Sequence, residues 1–193
     1  MMKEVFDLFP TLVMAFKDVI PSNEVNDIFK KLKEYKTNDS DAALVHGRSS
    51  FSTHKNILLS LDLEERMQEK VNEYTDYIKL KPLTITNSWF SIQNVGGMLK
   101  EHIHGTSVLS AALYINVDEK SSPLVFENPN PHARFNYEDI CEERCLYTSP
   151  FRSLYPQKGT LVIFPSWLRH GSMYNSNLTP DRTVISFNAH GVY

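Results

Sequence analysis

Two histidines separated by a single residue, His102 and His104, form the first pattern in this sequence that could do chemistry. In an extended segment, residues two apart point the same way, so both imidazoles could face one point in space. That geometry suits two nitrogen ligands on one metal ion, although the same spacing arises more often by chance on a surface. A metal site therefore needs a further ligand.

His170 is the candidate for that further ligand. It follows the apolar run "GTLVIFPSWLR", which Pro165 interrupts, so His170 is predicted to open a new strand after a turn. In an antiparallel sandwich, segments distant in sequence can lie side by side at one end. His170 would then join His102 and His104 as three facial ligands that leave open positions, as catalytic metal sites require.

The strand "RTVISFN" adds a cation to the same region. Alternation gives it one apolar face and one partly polar face, the latter formed by Arg182, Val184, Ser186 and Asn188. If the polar face lines a pocket, a guanidinium lies inside it, and burying that charge costs several kcal/mol unless it is paired. No acidic residue on this strand pairs it, whereas a carboxylate ligand would, in bidentate fashion.

The strand "SVLSAALYIN" also has one face that could line a ligand pocket. Ser110, Ala112 and Tyr114 share a face of small residues that ends in a phenol. Small side chains leave room for a ligand, and the Tyr114 hydroxyl could donate a hydrogen bond to it. A core tyrosine with its hydroxyl at the rim is the other interpretation.

The secondary structure predicted to position these residues changes from helices to strands along the chain. Helical spacing of apolar residues predicts helices from about Val25 and over residues 61–78, and many short strands follow Pro82. We expect a single domain over residues 1–193, mainly β with flanking α-helices, with helical support mainly in 22–80 and the β core mainly in 83–190. Residues 129–150 lack periodicity, and they are predicted to be either a functional lid or an ordered surface loop.

Composition disfavours several classes of partner. The net charge of -3 and the lack of a basic stripe disfavour a nucleic-acid partner. No stretch approaches the roughly 20 apolar residues of a membrane helix, so no membrane partner is expected. Cys141 and Cys145 are expected to be free thiols in a cytoplasmic compartment. Neither the oligomeric state nor the substrate, a small molecule or a protein side chain, is specified by the sequence.

Taken together, the segments "HIH", "SAALYIN", "FPSWLRH" and "RTVISFN" resemble the iron- and 2-oxoglutarate-dependent oxygenases. The resemblance implies a double-stranded β-helix, a jelly-roll variant, that couples decarboxylation of 2-oxoglutarate to succinate with hydroxylation of a substrate. It also implies Fe(II) held by His102 and His170, and 2-oxoglutarate bound at its distal carboxylate by Arg182 and Tyr114, with Ser186 on the same strand face.

One position departs from the family pattern. The residue two after the first histidine is usually Asp or Glu in that superfamily, and here it is His104. His104 is the expected third ligand because its position matches, with Glu101 or Glu127 as the alternative carboxylates. Two other functions stay open: a three-histidine zinc hydrolase, in which the metal lowers the pKa of bound water, and a metal-stabilised jelly-roll binding module without turnover.

Overall fold

The computed structural model describes residues 3–38, 43–135, 137, 140–172 and 177–191. Its helices are α1 (Ser22–Leu32), α2 (Ile57–Ser60), α3 (Glu64–Tyr77) and α4 (Pro131–Phe135). Its strands are β1 (Met14–Phe16), β2 (Leu44–Ser49), β3 (Leu83–Leu99), β4 (Leu109–Asn116), β5 (Leu124–Glu127), β6 (Phe151–Leu154), β7 (Leu161–Pro165), β8 (His170–Gly171) and β9 (Arg182–Gly191). None of the described helices is long and apolar enough to cross a bilayer.

The strands form two antiparallel sheets. The larger has the order β1-β7-β4-β9-β3-β2, and the smaller has the order β6-β5-β8. Leu124 and Phe126 of the smaller sheet pack with Tyr114, Phe164 and Val184 of the larger one, so the two sheets face each other across an apolar interior. This confirms the predicted jelly roll, a double-stranded β-helix that is mainly β with flanking helices.

A second apolar core lies on the other face of the larger sheet, where α1, α2 and α3 cover it. Leu32, Leu58 and Met67 of the helices pack there with Ile185 and Phe187 of β9. Because side chains alternate along a strand, β9 sends these two residues toward the helices and sends Arg182, Val184 and Ser186 toward the smaller sheet. The predicted two-faced character of β9 is thus confirmed.

Strand β3 departs from simple alternation. The sequence predicts that Ile85, Asn87 and Trp89 share one face, yet the register shifts between Ile85 and Asn87. Ile85 packs in the helix-covered core, whereas Asn87 and Trp89 line the interior between the sheets. A β-bulge inserts one extra residue, so the side chains after it point to the opposite face of the sheet from the one that strict alternation predicts. A single sequence does not show where such a bulge lies.

The second helical pattern corresponds to one helix, as expected, but that helix is shorter than the predicted span of residues 61–78. It is α3, which begins at Glu64 and ends at Tyr77, and a turn at Asp62, where φ is 56°, joins it to the short α2. The turn lets Leu61 and Leu63 both reach the core. Burial of these two side chains outweighs the cost of a left-handed residue.

Candidate metal centre and its cavity

Three histidines come together where the two sheets meet. His170 is buried on β8, and His102 lies in the segment after β3, where the two form an isolated antiparallel bridge. Each donates its backbone N–H to the other's carbonyl at 3.0 Å. His104 follows, and one ligand nitrogen from each of the three residues lies within 4.8 Å of the others. The structure therefore brings together the histidines that the sequence singled out.

The ring orientations of His102 and His170 are set by backbone carbonyls. Nδ1 of His102 lies 2.8 Å from the carbonyl oxygen of Lys100, and Nδ1 of His170 lies 2.8 Å from that of Leu168. A carbonyl oxygen only accepts, so each Nδ1 carries a proton, and in a neutral ring the lone pair is then on Nε2. This arrangement is typical of metal-binding histidines, whose second nitrogen is held by an outer partner.

The surroundings of the cluster favour a neutral imidazole at His170. The centres of the Phe164 and His170 rings lie 4.5 Å apart, and Trp89 stacks on His104 with ring centres 5.9 Å apart. Burial lowers the pKa of His170 to about 3, with further lowering by the nearby His102 and His104. A neutral imidazole is the form that binds a metal, so at neutral pH His170 needs no proton loss before it binds.

Neither carboxylate alternative joins the cluster. Among the described residues, the only group of three or more possible ligands is the histidine cluster. Glu127 instead pairs with Arg169 at 3.4 Å. Glu101 has one buried oxygen without a hydrogen-bond partner, but it lies outside the group. Three neutral ligands would leave a bound dication with one more positive charge than two histidines and a carboxylate would.

A cavity of about 660 Å³ opens beside the histidines. Its lining includes all three histidines together with Arg182, Tyr114 and Ser186. Residues from β3, β4 and β9 form its floor, because these three strands are neighbours in the larger sheet and turn alternate side chains inward. The volume is in the range that small-molecule ligands occupy.

Arg182 lies buried in this cavity, and no described acidic residue forms a salt bridge with it. It is 5% exposed, and Nη1 donates to the side-chain oxygen of Gln93, a neutral acceptor, at 3.0 Å. Its Nε has no hydrogen-bond partner. Burial lowers the pKa of the guanidinium, and the neighbouring Tyr114 opposes that shift. A buried donor without a partner is costly, so the site fits a carboxylate ligand.

Tyr114 and Ser186 flank this cation. The Arg182 guanidinium carbon lies 5.6 Å from the centre of the Tyr114 ring. Burial raises the pKa of Tyr114 to about 12, against a smaller lowering by Arg182, so the phenol stays protonated and can donate. Ser186 is half-buried and lines the cavity between Arg182 and the histidines along β9.

Two contacts of the candidate site were not predicted from the sequence: that of Gln93 with Arg182 and that of Trp89 with His104. Gln93 pairs across strands with Arg182, and it was missed because cross-strand register cannot be read from spacing alone. The position of Trp89 on a predicted strand indicates either a core residue or a substrate contact, and in the structure it is buried and stacks on the His104 ring. No described residue of 129–150 lines the cavity, which favours the surface-loop interpretation over a lid.

Gly171, next to His170, allows a close approach of two chain segments. A Cβ at this position would lie 2.7 Å from the Leu99 carbonyl oxygen and 3.0 Å from the Glu101 nitrogen. Because backbone atoms cannot move aside cheaply, Gly171→Ala is expected to lower the free energy of unfolding by about 1–3 kcal/mol in a urea titration. Gly105→Ala is the matched control, because nothing lies within 4 Å of a Cβ there. Equal stability of the two variants would contradict the close approach.

Comparison with known proteins agrees with this geometry. Residues 87–188, more than half of the chain, match the family described as "Putative 2OG-Fe(II) oxygenase". The chain therefore belongs to the Fe(II)- and 2-oxoglutarate-dependent oxygenases, which confirms the resemblance seen in the sequence. No curated protein matches the chain in sequence.

Solved structures share the fold at low sequence identity. HygX from Streptomyces hygroscopicus, with nickel, 2-oxoglutarate and hygromycin B bound, has a TM-score of 0.66 and 13% identity over 95% of this chain and 84% of its own. A Pseudomonas putida prolyl-4-hydroxylase has a TM-score of 0.61 and 12% identity over 96% of both chains. At these identities the likeness establishes the fold.

Proposed function

We propose that His102, His104 and His170 hold the Fe(II) of this oxygenase and that Arg182, Tyr114 and Ser186 bind its 2-oxoglutarate. When bound, the iron and the cosubstrate would supply the oxidative chemistry with dioxygen as the oxidant: 2-oxoglutarate loses CO₂ and takes up one oxygen atom to become succinate, and the other oxygen atom hydroxylates a substrate C–H bond. The observation that carries the proposal is a single cavity lined by three converging imidazoles and by a buried guanidinium with a free donor.

The histidines fit the metal in chemistry as well as in position. Imidazole nitrogen is a good ligand for iron, and three ligands from the protein leave open positions for a bidentate cosubstrate and dioxygen. The Nδ1 contacts of His102 and His170 leave Nε2 as the nitrogen that would face the ion. His104 would supply a neutral ligand where the wider superfamily supplies a carboxylate.

Arg182 fits the distal carboxylate of the cosubstrate. Its Nε has no partner, and its Nη1 is held by the neutral amide of Gln93 rather than by an acid. The protonated Tyr114 phenol offers a further donor beside it. A planar guanidinium binds a carboxylate in bidentate fashion, which orients the cosubstrate with its other end toward the histidines.

Gln93→Glu is expected to weaken 2-oxoglutarate binding by about tenfold or more, measured by calorimetry with Mn(II) and without oxygen. The substituted carboxylate would pair with Arg182 and repel the carboxylate of the cosubstrate, and like charges placed together cost several kcal/mol. Gln93→Leu removes the acceptor and adds no charge, so a smaller loss is expected.

Gln157→Glu serves as the control for that experiment, because Gln157 is exposed and the chemical change is the same. Thermal melting of each variant separates a loss of binding from a loss of folding. If folded Gln93→Glu binds 2-oxoglutarate as tightly as the unchanged protein, then Arg182 does not hold the cosubstrate.

The catalytic assay that tests the proposal follows 2-oxoglutarate conversion to succinate by the purified protein with Fe(II). We expect turnover that needs both iron and dioxygen. Hydrolysis that proceeds with Zn(II) and without dioxygen would favour the three-histidine hydrolase, in which the buried Arg182 has no assigned role. Metal binding with no turnover in the presence of any substrate would favour a binding module.

The substrate is proposed to be a small molecule or a protein side chain. Among proteins of the same fold, HygX is seen with hygromycin B bound, and another is a prolyl-4-hydroxylase. We also propose that residues 1–193 act as one domain, because both sheets line one cavity. A reducing, cytoplasmic compartment is supported by the free thiols of Cys141 and Cys145.

A further inference from the structure

We infer that the outer part of the cavity, formed by Asn87, Asn188, Trp89 and Phe51, binds the substrate through a carbonyl or carboxylate oxygen. We call this part the amide pocket. The inference rests on the proposed function, because it assigns to Arg182 the cosubstrate and leaves the amide pocket for the substrate. The substrate that fits such a pocket is neutral or anionic.

The amide pocket lies at the opposite end of β9 from Arg182. Asn188 is six positions along the strand from Arg182, which corresponds to about 20 Å at 3.3–3.4 Å per residue. A five-carbon diacid has four bonds along its chain and spans about 5 Å at the spacing of an extended backbone. A cosubstrate anchored on Arg182 therefore does not reach Asn188.

The histidine cluster lies between these two ends. Trp89 stacks on His104 and is paired across strands with Ser186, one inward-facing position from Asn188. The backbone N–H of His104 donates to the carbonyl of Ser166, whose hydroxyl lies 2.8 Å from that of Ser110. A molecule held in the amide pocket would thus lie against the proposed metal centre.

Two amide groups in the pocket offer donors that no described residue uses. Asn87 and Asn188 face each other across β3 and β9. The Ser110 hydroxyl donates to Oδ1 of Asn188 at 2.9 Å, so its Nδ2 points away from Ser110, and Nδ2 has no hydrogen bond to a described residue. Asn188 is only 7% exposed. Asn188 lines the cavity, so an oxygen acceptor on a ligand there could take the hydrogen bond that Nδ2 offers.

The charges around the cavity also favour a neutral or anionic substrate over a cationic one. The described residues that line it include no Asp or Glu, and the charged ones are Arg182 and the exposed Lys55. A cationic substrate would enter without a counterion, next to a proposed metal centre that has only neutral ligands. An anionic or neutral group with oxygen acceptors could instead accept hydrogen bonds from the Asn87 and Asn188 amides, and the positive charge nearby would favour it.

Aromatic side chains form the wall beside the amides. Trp89 is buried, and the Phe51 ring meets it edge-on at 5.1 Å with an interplanar angle of 79°. Phe51 is 44% exposed, so it presents apolar surface at the mouth. A ligand that carries an apolar or aromatic portion next to its oxygen acceptor would cover this surface.

Three probes of similar shape test the inference: 3-phenylpropionate, 3-phenylpropanamide and 3-phenylpropylamine. Their binding to the protein loaded with Mn(II) and 2-oxoglutarate would be measured by calorimetry without oxygen. We expect the acid and the amide to bind about tenfold or more tightly than the amine, because only they accept hydrogen bonds from the amides. Asn188→Asp replaces the donor with an anion and is expected to weaken the acid about tenfold or more.

Asn72→Asp is the matched control, because Asn72 is exposed on α3 and should leave all three affinities unchanged. Amine binding as tight as acid binding, or no binding of any probe, would overturn the inference. So would a loss of 2-oxoglutarate affinity in Asn188→Asp as large as the loss of acid affinity, because Asn188 would then contact the cosubstrate. Failure of the unchanged protein to bind Mn(II) or 2-oxoglutarate would instead refute the proposed function.

Discussion

His170→Ala is expected to abolish Fe(II) binding and 2-oxoglutarate turnover, with a loss of metal affinity of at least about 100-fold. Loss of a residue that merely orients a ligand costs 10–100-fold in metal affinity, and loss of a ligand itself should exceed that range. His170 is also the most buried of the three histidines and carries the bridge to His102. Metal affinity would be measured by anaerobic Fe(II) titration and competition with a chelator.

Two other histidines provide controls for this experiment. His132 is exposed on α4, and His190 contacts Ser107 at 3.1 Å near the mouth of the cavity, so His132→Ala and His190→Ala should keep their iron. His104→Ala, at a more exposed position, separates ligand loss from misfolding. Folded His170→Ala with undiminished metal affinity would show that the ion binds elsewhere.

Arg182→Ala is expected to weaken 2-oxoglutarate binding by about 1.5–3 kcal/mol, which corresponds to about 10- to 150-fold, while metal binding is preserved. The variant lacks the guanidinium that would supply a charged, bidentate contact, but the imidazoles remain in place. Calorimetry with Mn(II) in place of iron, in the absence of oxygen, measures both affinities in one series.

Arg182→Lys is the informative companion variant. It keeps the positive charge but loses the planar fork and the contact that Arg182 makes with Gln93, so an intermediate affinity is expected. If Arg182→Ala binds 2-oxoglutarate normally, the buried cation has another role. If Arg182→Ala also loses metal affinity, then Arg182 affects the proposed metal site as well as the proposed cosubstrate site, and the two sites do not bind independently.

Much of the site could be predicted because its residues are chemically distinctive. The pair His102 and His104, the later His170, and the cation at the start of β9 are each unusual in their local pattern. The alternation of β9 also predicted correctly which face is polar, since Ile185 and Phe187 pack under the helices. These features depend on residue type and period, which a single sequence displays.

The remainder depends on register, which a single sequence does not display. Gln93 meets Arg182 only because β3 and β9 pair in that alignment, and the bulge near Thr86 decides that Asn87 faces the cavity. The short helix α2 was not predicted, because four residues are too few to display a helical period. Tertiary packing sets such details, and local spacing leaves them open.

The central claim is that one cavity holds the metal on three histidines and the cosubstrate on one arginine. A crystal structure of the protein with Mn(II) and 2-oxoglutarate, prepared without oxygen, tests it most directly. We predict one ion bound by Nε2 of His102, His104 and His170, with the distal carboxylate of 2-oxoglutarate paired to Arg182. An ion bound to other residues, or a cosubstrate carboxylate placed away from Arg182, would contradict the account.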